Sequence, residues 1–176
     1  LSEEASRRIA ATAVFARQNG RWDEDRIRNH LEGLLQSANT PAALLDFLLR
    51  YRAQMDRMNT WQGRLSSLIR NNAATDLHSA EDLLDRLEQN MLGRLRKAFN
   101  WIQVADLSET AISDELRENL TKIADENDEL LEKARSLCET LSNYLNTQNE
   151  DRNGPVQLDH FILTLNEQIE EERETV

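Results

Sequence analysis

Little in this chain interrupts it. Its 176 residues include five Gly, two Pro and one Cys, and aromatic residues make up 5%. A β-rich protein of this length spends Gly and Pro on many tight turns, so their scarcity argues against a sandwich or barrel. The single cysteine, Cys138, excludes an intrachain disulfide, and nothing ties the chain to an oxidising compartment. Its expected role is that of a small buried hydrophobe, because the neighbouring Glu139 does not lower a thiol pKa. With few aromatics the core falls to Leu, Ile, Ala and Met, a set that suits helix packing better than a large ligand cavity.

No run of about 18 apolar residues exists, so no transmembrane helix is expected. The opening, Leu1-Ser2-Glu3-Glu4, is acidic and lacks the apolar stretch of a signal peptide, which makes a cytoplasmic protein the expectation. The first residue is not Met, so a trimmed chain is expected, with a removed targeting segment or a periplasmic sensor fragment as further readings.

Chemical signatures are also lacking. There is no Gly-rich phosphate loop, no Gly-x-Ser-x-Gly and no Cys-x-x-Cys. The three histidines are His30, His78 and His160, and none completes the Glu-x-x-His pair that di-iron bundles use. His78 with Glu81, Asp82 and Asp85 resembles a metal set, but an acid-rich helix start accounts for the same residues. Clustered acids also suit a metal-dependent carboxylate hydrolase, provided that they converge inside a bundle. Here the acids lie outside the apolar seams. No enzyme, cofactor or metal is therefore expected, and the hydrolase stands as an alternative.

What is present is helical. The charged fraction is 30%, and apolar residues recur at steps of four and three. A first helix is expected from Ser2 to Gln18, stopped by Asn19-Gly20. A second opens at an Asp23 cap, with Trp22 before the cap and Ile27 four residues into the helix, the spacing of a hydrophobic staple. Thr40-Pro41 starts a long third helix to about Arg70, with Asn59-Thr60 or Gly63 as possible kinks. Its seam is Leu44, Leu48, Tyr51, Met55, Met58, Gln62, Leu65 and Ile69. A fourth helix, capped by Ser79, carries Leu84, Leu87, Met91, Leu95, Ala98, Ile102 and Ala105 on one face. The fifth runs from Ser113 to about Leu145 with the seam Leu116, Leu120, Ile123, Asn127, Leu130, Ala134, Leu137, Leu141 and Tyr144. Pro155 opens a sixth, with Leu158, Ile162, Leu165 and Ile169 inward.

The expected fold is all-α: an elongated multi-helix bundle with two or three long heptad-patterned, coiled-coil-like helices in a single domain over 1–176. Short helices occupy 1–37, two long ones 40–105, and a long acidic helix with a C-terminal helix 113–176. The long helices are expected to pack nearly antiparallel.

Charge is divided along the chain. Residues 1–100 carry 15 Lys and Arg against 13 Asp and Glu, whereas residues 101–176 carry 6 against 19, within a net charge of −11. Such asymmetry suits a charged partner, or simply solubility. The pattern predicts a non-enzymatic helical protein–protein interaction module or subunit of a larger complex, with a homo-oligomer as one form of it. The candidate partner-binding residues are Trp61, Trp101 and the cluster Arg94, Arg96 and Lys97. On the acidic helix they are Glu118, Asp125, Glu126 and Glu129. The alternative of a different class is a nucleic-acid-associated accessory subunit, using basic residues interleaved with Phe99 and Trp101. Arg50, Arg52 and Arg57 are expected to pair with the acidic helix. Gln62 and Asn127 interrupt apolar seams and are candidates for setting register, Asn127 against a neighbouring helix of its own chain or across a subunit boundary. On that reading Asn127→Leu raises stability and loosens specificity.

Overall fold

A computed structural model describes residues 17, 19–38, 40–72, 77–105, 112–147, 160, 162–164 and 166–167. Its described elements are four α-helices: α1 (Glu24–Gln36), α2 (Ala42–Asn71), α3 (His78–Val104) and α4 (Asp114–Thr147). The protein is an all-α bundle of several long helices. The predicted first helix, the connector after Ala105 and most of the sixth helix lie outside the described residues.

Each start has a local cause. Asp23 adopts an extended backbone and its carboxylate accepts from the Arg26 N–H at 3.2 Å, which caps α1. Trp22 and Ile27, on either side of that cap, are both buried, as a staple requires. Asn19 and Gly20 before it take positive φ of 55° and 75°, a conformation that asparagine and glycine tolerate best. Ser113 caps α4 by accepting from the Leu116 N–H at 3.1 Å.

Two of the expected caps differ. Thr40 does not cap α2. Its hydroxyl donates to the Leu34 carbonyl at 2.6 Å, tying the loop to the last turn of α1. Ser79 lies inside the first turn of α3, which starts at His78 with Leu77 and Ala80 buried around it.

The chain divides into two compact units: Leu1–Met55 with Gln89–Asp128, and Asp56–Glu88 with Glu129–Val176. The first joins the opening part of α2, the closing part of α3 and the opening part of α4, so α3 runs against the other two. Its core gathers Trp22, Ile27 and Leu31 with Leu44, Leu48, Tyr51, Leu95, Phe99, Leu116 and Leu120. In the second unit the seam residues Met58, Leu65, Leu84, Leu87, Leu130 and Leu137 are buried. There the Cys138 thiol donates to the Trp61 carbonyl at 3.7 Å, and burial pushes its pKa up to about 11, which leaves it a poor nucleophile at neutral pH.

The α2 helix is continuous in sequence through Asn59, Thr60 and Gly63. Gly63 is exposed, and a Cβ built there meets nothing within 4 Å. Gly63→Ala is therefore expected to stabilise the fold by about 0.5–1 kcal/mol through helix propensity, read as an upward shift in the urea midpoint. A fall in stability would mean that the helix needs flexibility at this turn. Among the described residues no helix is long and apolar enough to cross a membrane.

Candidate functional site

Polar side chains enter the first unit's core at one level. Tyr51 and Gln54 are three residues apart on α2, so they share a face. Tyr51 is fully buried and its hydroxyl donates to the Met91 carbonyl of α3. Gln54 Nε2 donates to the Ala124 carbonyl at 2.7 Å and to Asp128 Oδ1 at 2.9 Å, both on α4. Asn127 Nδ2 donates to Gln54 Oε1 at 3.2 Å, and Asn127 is wholly buried. Its Oδ1 has no hydrogen-bond partner among the described residues. Asn127 is thus an inside residue of this unit and meets α2 of its own chain. Gln62, the other register candidate, is half-buried on α2 in the second unit.

Burial drives the Tyr51 phenol well above its ordinary range, a rise that Asn127 and Arg94 partly offset. An unfolded tyrosine ionises near pH 10. Because the folded value is higher, this residue's stabilising share is complete below pH 10 and is lost as pH rises above it, by up to about 1.4 kcal/mol per pH unit. Tyr51→Phe should remove that slope. Urea unfolding at several pH values between about 9 and 11 should show the wild type losing stability faster than the variant. Parallel curves would contradict the buried phenol.

Ion pairs rim this layer. The Arg50 guanidinium lies 2.8 Å from both Asp125 and Asp128, and their hydrogen bonds raise its pKa further. Arg52 pairs with Glu32 of α1 at 3.1 Å rather than with the acidic helix, because its helical phase turns it toward α1. Arg94 lies 3.6 Å from Glu126 and its side chain is 9% exposed. The expected surface cluster is therefore split. At 100° per residue Arg94 turns inward with Met91 and Ala98, while Arg96 and Lys97 stay exposed. Asp125 pairs with Arg50 and Glu126 with Arg94; Asp125, Glu118 and Glu129 are exposed and Glu126 is half-buried.

A second constellation lies on the outward face of α3 in the same unit. Trp22 is clamped through its backbone by Gln89, whose amide accepts from the Trp22 N–H at 2.7 Å and donates to its carbonyl at 3.1 Å. The indole lies over Gly93, where a Cβ would sit 3.3 Å from Nε1, so glycine permits this close approach. Two guanidiniums cover the ring, Arg17 at 4.4 Å and Arg96 at 5.3 Å from its centroid. One turn on, Lys97 Nζ lies 5.4 Å from the half-buried Trp101 ring. Such contacts hold cations in place without neutralising them. Trp61, in the second unit, is half-buried with Arg64 at 4.8 Å from its ring.

Gln54 and Arg17 are absent from the sequence-derived candidates. Gln54 was signalled only by its step of three from Tyr51. Arg17 meets Trp22 through a reversal at Asn19-Gly20 that apolar periodicity does not report. Among the described residues no group of three or more His, Cys, Asp or Glu is placed to hold a metal ion, and His78 Nδ1 lies 3.1 Å from Glu81 on an exposed helix start. No protein-family model, no curated protein and no solved structure matches this chain.

Proposed function

We propose that this chain is a non-enzymatic helical interaction module that docks other proteins through exposed helix faces, as an adaptor or a subunit of a larger complex. The observation that carries the reading is the outward face of α3, where Arg96 and Lys97 stand exposed over Trp22 and Trp101 in a chain of net charge −11. Exposed cations held on rings are ready-made contact groups. The buried polar groups of the same unit are directed at one another and at helix carbonyls, an arrangement suited to fixing helices.

The chain purified from its source should co-elute in size exclusion with one defined protein in fixed stoichiometry, and nuclease treatment should leave the complex intact. Loss of the complex on nuclease treatment would transfer the reading to a nucleic-acid-associated subunit. Elution as a bare monomer would remove it.

A further inference from the structure

We propose that Arg17, Arg96 and Lys97 receive a carboxylate-bearing segment of a partner protein, an assignment that rests on the interaction-module reading and names the chemistry of its partner. Most of the neighbouring cations of this unit already have carboxylates. Arg28 meets Glu24, Arg50 meets Asp125 and Asp128, Arg52 meets Glu32, and Arg94 meets Glu126. Among the described residues Arg17, Arg96 and Lys97 make no such pair; all three are exposed and each is held against a tryptophan ring. What sets Arg17, Arg96 and Lys97 apart within this unit is that each lies over a tryptophan ring, two of them over the same one.

The chemistry favours carboxylates. A guanidinium lying on a ring keeps its planar N–H edge for a further acceptor, and that fork matches a carboxylate. Pinning two guanidiniums on one ring also removes part of the side-chain freedom that binding would otherwise have to freeze. A single-stranded nucleic acid would use the same cations but needs open aromatic faces on which to stack bases. Trp22 is only 7% exposed and lies under two guanidiniums, and Lys97 covers Trp101.

The full chain should be titrated at about 50 mM salt with a fluorescent Glu-rich helical peptide of about 20 residues, its Gln-for-Glu counterpart, and a single-stranded RNA of similar length. The Glu peptide is expected to bind, the Gln peptide not to bind, and the RNA to bind at least about tenfold more weakly. Arg96→Glu with Lys97→Glu should weaken the Glu peptide by about tenfold or more, and Arg96→Gln with Lys97→Gln by less. Arg117→Glu with Lys122→Glu makes the same charge change on exposed positions of α4 and should leave binding within about twofold. The Gln pair keeps the test decisive if the Glu pair unfolds. Absence of peptide binding, equal loss in the α4 variant, or preference for RNA would each overturn the assignment. Retention of the native partner by both α3 variants would overturn it while leaving the interaction-module reading intact.

Discussion

Replacing Trp22 by alanine is expected to destabilise the fold by about 3–5 kcal/mol, the range for truncating a buried aromatic side chain. Three losses coincide at this residue. Its staple with Ile27 fixes how the chain enters α1. Its indole packs directly over Gly93 on α3. Its ring also holds Arg17 and Arg96. Because the Gln89 clamp acts on the Trp22 backbone, the local turn should persist, and the loss should appear as a lower global stability. Urea unfolding followed by circular dichroism measures it without relying on the fluorophore that has been removed. Trp22→Phe keeps the staple and should cost about 1–2 kcal/mol. Trp101→Ala removes a half-buried ring and should cost less than half of the Trp22→Ala value. A Trp22→Ala cost below about 1 kcal/mol would mean that the ring is not part of the core.

What could be read in advance was whatever repeats along one helix. The α2 and α4 seams were legible because a buried stripe returns every three or four residues; Leu44, Leu48, Met55, Leu120 and Leu137 are all buried. The Asp23 cap with its staple was legible because both are written within a few residues. Arg94 parts from Arg96 and Lys97 because adjacency in sequence is not adjacency in space. Two residues on, a helix has turned by about 200°, so Arg94 and Arg96 occupy different surroundings. Arg17 over Trp22 and Gln54 beside Asn127 depend on how separate segments meet. In the second case the partners are 73 positions apart, and no local pattern encodes that distance. The cations on the outward face of α3 share this origin, because the ring beneath Arg96 comes from before α1.

Asn127→Leu and Gln54→Leu should each destabilise the first unit, and together they should cost less than the sum. The sequence alone suggested a gain from Asn127→Leu, on the view that an apolar seam outperforms a buried amide. The contacts of Asn127 argue for the opposite sign, because its Nδ2 supplies the hydrogen bond that satisfies Gln54 Oε1, a loss set against the removal of its own unpartnered Oδ1. Removing that bond leaves a buried acceptor without a donor, which costs about 1–2 kcal/mol. Gln54→Leu strands the fully buried Asn127 amide and also takes a donor from Asp128, so about 2–3 kcal/mol is expected. In the double variant neither amide remains to be stranded. The Ala124 carbonyl keeps its place within α4 and Asp128 keeps Arg50, so the two losses should cancel by about 2 kcal/mol. Strict additivity would mean that the two amides do not act as one unit. The same double variant also addresses register. An all-apolar seam between α2 and α4 tolerates sliding that an amide pair forbids, so it should unfold with a shallower urea dependence and show broader amide NMR resonances even where its midpoint recovers. Wild-type steepness and line widths in that variant would assign register to Leu and Met packing alone.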